Sequence, residues 1–298
     1  MDIKKLKGVI PPIVTPVDAE ENVDEKGLRK VIDHVLEGGV HGVFVMGSNG
    51  EFYAMNQENQ RRAIEITVDH VKGRVPVYAG VGAITTKESI ALVKQAKDAG
   101  ADAVTLLTPM FIKLTDEELY VHFKAIAEST DLSVLLYNNP GKTANNISVP
   151  LIKRLAKIPN IIGIKNTSLD FAQTISFIEA TREEENFEVL AGSDFYIYGT
   201  LAYGGCGCVA GTANVAPRLV CDIYDLYMAG DLQGAMKAQY DLLPLRRSYD
   251  IGSFPVVMKD CLNLMGFELG HPVRPIQHVD EEKMETLRGI LKDLGLLA

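Results

Sequence analysis

The feature that most constrains this 298-residue chain is an eightfold alternation of short β-rich runs with helical patterns. The runs fall at 8–15, 42–46, 75–80, 103–108, 134–137, 161–165, 187–191 and 206–210. Most are continuous apolar stretches. That is the signature of parallel strands covered on both faces, because a strand half open to water shows a polar residue at every second place. Between the runs, Thr85-x-x-Glu88 and Thr115-x-x-Glu118 have the spacing of capping boxes that open helices.

A weak internal echo points the same way. EGGVHGVFVMG (37–47), DAGADAVTLLTP (98–109) and YGGCGCVAGTA (203–213) share one plan: a helix end, a glycine stop, a small turn, then a buried strand. Eight such β-α units over roughly 230 residues match a (β/α)8 TIM barrel. The competing architecture, an open doubly wound sheet, calls for a GxGxxG fingerprint. Gly80-Val81-Gly82 lacks the third glycine, and no GxxxxGK[ST] occurs. After Met228 the pattern turns purely helical, with segments near 231–247, 254–265 and 279–296. The chain therefore reads as a (β/α)8 barrel over 1–230 and a C-terminal helical extension over 231–298 packed on it.

Composition narrows the function. The net charge of −9 repels phosphate backbones and argues against nucleic acid as a partner. No apolar run reaches the ~18 residues of a membrane helix. The opening MDIKKLKGVIPPIVTPVD is broken by Pro11, Pro12 and Pro16, so it reads as a first strand and not as a signal. That predicts a cytoplasmic protein without a membrane partner. Cys206 and Cys208 are two apart, Cys221 and Cys261 are isolated, and no CxxC occurs. Cys206 and Cys208 read as small apolar residues of a packed strand. The six histidines are scattered, and no metal-binding motif is visible.

In a barrel the chemistry sits at the C-terminal ends of the strands. Three positions there carry reactive groups. Lys165 ends the apolar run of PNIIGIKNTS. Burial disfavours an ammonium, and a neutral amine is a nucleophile toward a ketone; a lysine snorkelling at a strand end gives the same local pattern. Tyr137, in VLLYNNPGKT, can relay protons, or be a half-buried aromatic at the rim. Gly47-Ser48-Asn49-Gly50-Glu51 can offer amides and hydroxyls to a carboxylate, or be an ordinary β-α turn.

Taken together, GSNGE, YNNP and GIKNTS resemble the dihydrodipicolinate synthase / N-acetylneuraminate lyase family of Schiff-base-forming, pyruvate-dependent aldolases and lyases. GVIPPIVTPVD at the start, LLTPMF at 106–111 and GTANVAP at 211–217 extend the resemblance over essentially the whole chain. The resemblance implies that Lys165 attacks the ketone of pyruvate, that Tyr137 shuttles protons with Ser48 in its relay, and that the Ser48 and Asn49 amides, on the turn begun by Gly47, hold the pyruvate carboxylate. It implies that Val209 lines the pyruvate site and that Asp194 makes substrate or structural polar contacts. It further implies no cofactor and no metal, and a homotetramer built as a dimer of dimers.

The chain also departs from the family's patterns. Dihydrodipicolinate synthases usually carry two tyrosines where this chain has Met110-Phe111, the second reaching into the neighbouring subunit's proton relay, so a relay hydroxyl is missing. They carry an arginine where Lys142 stands, which keeps the charge and loses the bidentate fork. N-acetylneuraminate lyases usually show Asp-Glu where this chain has Asp194-Phe195. These departures, with a GSNGE turn that resembles members acting on 2-keto-3-deoxy sugar acids or 4-hydroxy-2-oxoglutarate, favour reversible aldol cleavage of a 2-keto acid of that type to pyruvate and an aldehyde bound near Lys142, Asn49 and Phe111. The alternative is a 4-hydroxy-tetrahydrodipicolinate synthase condensing pyruvate with aspartate semialdehyde. Behind these stand a neuraminate lyase, a sugar-acid dehydratase and a non-catalytic binding barrel. A pyridoxal phosphate enzyme, with Gly204-Gly205-x-Gly207 as phosphate loop, is a further use of a strand-end lysine.

Overall fold

The computed structural model describes residues 6–297. The first residues of the opening segment read above as a strand, 1–5, lie outside the described residues. Eight parallel strands form one sheet: β1 (Gly8–Val9), β2 (Val43–Val45), β3 (Val77–Gly80), β4 (Ala103–Leu107), β5 (Ser133–Asn138), β6 (Ile161–Asn166), β7 (Glu188–Ala191) and β8 (Gly207–Cys208). Their order is β1-β8-β7-β6-β5-β4-β3-β2. The sheet closes on itself, because the Phe44 amide donates to the Pro11 carbonyl and the Ile13 amide to the Phe44 carbonyl, both at 2.9 Å. The fold is a (β/α)8 barrel.

The first and last strands are shorter than the apolar runs suggest, for different reasons. Pro11 and Pro12 carry no N–H, so the ladder beyond Val9 is reduced to a single bridge between Pro12 and Phe44. At the seam with β8 the two backbones nearly touch. A Cβ on Gly207, whose φ is +151°, would lie 2.1 Å from the Gly8 carbonyl oxygen. Only glycine permits that approach.

Because strand side chains alternate, the barrel has two cores. Ile10, Phe44, Tyr78, Ala103, Leu135, Leu190 and Val209 pack together inside it. The larger cluster joins the opposite strand faces to the helices, with Val45, Val104, Leu136 and Ile164 meeting Ile32, Phe123 and Phe177. Helix starts follow the capping signals. Thr115 forms a full reciprocal box with Glu118, whereas at Thr85 only the first half forms, its side chain accepting from the Glu88 amide. Beyond the barrel the helices Leu232–Arg247, Val256–Leu264 and Glu281–Asp293 follow, with no further strand among the described residues.

Those helices do not merely cover the barrel. Lys259, from Val256–Leu264, pairs with Glu51 of the GSNGE turn, and both side chains are fully buried. Glu51 also accepts a 2.8 Å bond from the Val273 amide. One carboxylate thus fastens the turn after β2 to two segments of the C-terminal region.

Candidate active site

Pairing of β5 with β6 sets Tyr137 directly beside Lys165. Tyr137 shares its strand face with Leu135, two residues earlier, so it points into the barrel above the inner core. Lys165 is only 3% exposed. Its amine lies 4.0 Å from the centroid of the Tyr137 ring and 5.6 Å from that of Phe44. The phenol oxygen of Tyr137 takes a 3.0 Å bond from Asn139 Nδ2 and lies 3.5 Å from Ser48 Oγ. Burial works against a phenolate there, but the Lys165 charge and the bonds from Ser48 and Asn139 outweigh it, and Tyr137 sits below the usual phenol range. A phenol so tuned parts with its proton more readily than one in water.

The GSNGE turn stands over this pair. Its own bonds run from the Gly50 amide to the Gly47 carbonyl and from the Glu51 amide to the Ser48 carbonyl. The amides of Ser48 and Asn49 are not used by them. Met46 and Glu51, which flank the turn, have φ of +57° and +56°. Such left-handed backbone costs energy for non-glycine residues and persists where surroundings enforce it; at Glu51 the buried pair with Lys259 and the Val273 amide hold the residue in place.

A cavity of about 490 Å³ opens above Lys165 and Tyr137. Asn49, Lys142, Val209 and Asp194 also line it, so most of the sequence-derived candidates converge. Gly47 and Ser48 instead border a small separate void that Tyr137 also lines, and the Ser48 hydroxyl reaches the Tyr137 hydroxyl. Lys142 rests over the Phe254 ring at 5.3 Å. Asp194 is committed structurally. Its carboxylate accepts from the Gly211 and Thr212 amides at 3.3 and 2.8 Å, and its carbonyl from Gln239. It therefore shapes the wall instead of presenting a free carboxylate.

Phe111 stands apart from the other candidates: it is 89% exposed, has φ of +78°, and is not among the residues that line the cavity of its own chain. The pocket also holds residues the sequence reading missed. Asn139 lies within the YNNP motif, and its adjacency to Tyr137 was the available signal. Arg246, Tyr249 and Phe254 come from the C-terminal region, where nothing in the local sequence marks them as pocket residues. Thr167 Oγ1, Ser193 Oγ, Tyr249 OH and Asn49 Oδ1 are buried there without a partner.

A family model described as the dihydrodipicolinate synthetase family matches residues 5–294. The chain belongs to this family. Its relatives include the 4-hydroxy-tetrahydrodipicolinate synthase of Methanoculleus marisnigri, 39% identical over 97% of this chain and 99% of the relative. That of Methanopyrus kandleri is 38% identical over 98% of each. Among solved structures, dihydrodipicolinate synthase from Thermotoga maritima superposes with a TM-score of 0.95 at 33% identity, covering 98% of this chain and 99% of that one. YagE, a prophage protein of the same family from E. coli K12 solved in complex with pyruvate, gives 0.94 at 32% over 98% and 99%. Membership makes this chain an aldolase-type enzyme of the dihydrodipicolinate synthase family. Among its described residues no helix is long and apolar enough to cross a membrane.

Proposed function

We propose that the Lys165 amine forms an imine with the ketone of pyruvate, and that the derived enamine adds to aspartate semialdehyde, as in a 4-hydroxy-tetrahydrodipicolinate synthase. The observation that carries the first half is the buried contact of Lys165 with Tyr137 on paired strands. The amine attacks the carbonyl carbon to give a carbinolamine, whose oxygen leaves as water once protonated. Tyr137, with Ser48 and Asn139 at its hydroxyl, carries those protons. The iminium then gives up a methyl proton, and the resulting enamine carbon bonds to the aldehyde carbon, whose oxygen takes up a proton. The Ser48 and Asn49 amides bind the pyruvate carboxylate and Val209 backs it.

The second half rests on the relatives. Those that bear the synthase name are 36–39% identical along nearly their full length. That supports aspartate semialdehyde better than the 2-keto acid cleavage ranked first from the sequence. The cleavage reading keeps one specific support, the absence of a hydroxyl at Met110-Phe111. We place the working enzyme in the cytoplasm as a homotetramer with no cofactor, its barrel spanning 1–230 and its extension 231–298.

Borohydride reduction in the presence of pyruvate tests the imine. A pyruvyl adduct is expected on Lys165 by peptide mass spectrometry and is absent from Lys165→Ala. An adduct on another lysine would overturn the assignment. The partner is tested by running condensation with aspartate semialdehyde beside pyruvate release from 4-hydroxy-2-oxoglutarate and 2-keto-3-deoxy sugar acids. Efficient release without condensation returns the chain to the cleavage reading.

A further inference from the structure

One wall of the cavity is built by the C-terminal region. Arg246 stands in the last turn of Leu232–Arg247, and Tyr249 lies in the short turn that follows. The guanidinium carbon of Arg246 is 4.3 Å from the centroid of the Phe195 ring and 4.7 Å from that of Tyr249. Packing of this kind steadies a planar cation and leaves its edge donors free. Among the described residues the Arg246 guanidinium makes no ion pair, and its contacts are with these two rings. The two acidic residues of the cavity wall are already engaged. Asp194 accepts from two amides, and Asp170 accepts from the Ala172 amide at a helix start. The Tyr249 hydroxyl is buried and unpartnered, and burial holds it well above the usual phenol range, so it is a donor without an acceptor. Arg246 and Tyr249 therefore line a cavity with donors to spare, in a chain whose net charge is −9.

We propose that Arg246, steadied by Phe195 and Tyr249, binds a carboxylate on the side of the second substrate away from the pyruvate half, and so sets a preference for anionic over uncharged partners. Guanidinium matches a carboxylate with two parallel bonds, which the single ammonium of Lys142 does not offer. The inference rests on the imine reading above and names the class of partner that the same cavity accepts.

The test compares wild type, Arg246→Gln and Arg246→Lys on two aldols that differ in one group. 4-Hydroxy-2-oxoglutarate cleaves to pyruvate and glyoxylate; 4-hydroxy-2-oxovalerate cleaves to pyruvate and acetaldehyde. Condensation with aspartate semialdehyde is measured in parallel. In Arg246→Gln the ratio of kcat/KM for carboxylated over uncharged partner should fall by about ten- to a hundredfold, mainly through KM. Arg246→Lys should recover part of it, and borohydride trapping of pyruvate on Lys165 should persist in both variants. An equal loss on both partners would mean a structural role and overturn the proposal. An unchanged ratio, or a wild type that does not distinguish the partners, would also overturn it. Wild type that fails to trap pyruvate defeats the imine reading instead; trapping with an unchanged ratio defeats only the role of Arg246.

Discussion

A single hydroxyl separates Tyr137 from phenylalanine, and the site is arranged around that hydroxyl. Tyr137→Phe should lower turnover by about 10²–10⁴-fold, the usual size of a general acid–base contribution. The urea midpoint should move little, because one hydrogen-bonded hydroxyl is worth only about 1 kcal/mol net; turnover within twofold of wild type would remove Tyr137 from the chemistry. A second residue governs stability instead. His122 is buried on the helix Asp116–Glu128, beside Thr86, and burial pulls its imidazole down to about 4. In the unfolded chain it takes up a proton near 6.5. Between those values the unfolded state binds the extra proton, so stability falls as pH drops from 6.5 toward 4, by up to about 3 kcal/mol from this group. Urea melts across that window should slope less steeply for His122→Gln than for wild type; parallel slopes would clear His122 of the effect. At this scale the sequence was legible where a reactive residue ended an apolar strand, as at Lys165 and Tyr137. It was silent on His122, whose protonation depends on neighbours far along the chain.

Among the elements, the tie between the turn after β2 and the helix Val256–Leu264 is the least expected. A buried charge left alone costs about 3–5 kcal/mol, whereas replacing both members of a pair by groups of similar volume is often neutral. Burial presses the Lys259 ammonium downward, and Glu51 is what offsets it. Lys259→Met should therefore lower the unfolding midpoint sharply. Glu51→Gln combined with Lys259→Met should return most of it, since Gln keeps an acceptor for the Val273 amide. A double variant no more stable than the single would show that packing around the lysine stem, and not the stranded charge, sets the cost. Strand order and type followed from the apolar runs because parallel strands buried on both faces have little freedom in composition. The partnership of residues 51 and 259 has no such periodicity to betray it. A lysine in a helix and a glutamate in a turn look like surface residues until the fold brings them together.

The whole molecule presents an apolar rim that its own chain leaves open. Tyr53, Ile84, Phe111 and Ile112 are all about half exposed or more, and they follow β2, β3 and β4, three neighbours in the sheet. The homotetramer proposed above would cover them. Phe111→Asp should lower the mass seen by light scattering at micromolar concentration, while far-ultraviolet dichroism stays that of a folded barrel. An unchanged mass would free Phe111 from the interface. The barrel was legible from the repeat of eight units. The share of the pocket supplied by residues beyond 230 was not, because a helical tail with ordinary amphipathic patterning carries no mark of what its inner face meets. That late contribution has a consequence for synthesis on the ribosome. β8 ends at Cys208, but Arg246 and Lys259 are translated later. At about 5–20 residues per second, the nascent chain spends several seconds with all eight strands made and the GSNGE turn still unbraced. In that interval the Glu51 carboxylate has not yet met Lys259, so the pocket is completed only after the barrel strands have been made.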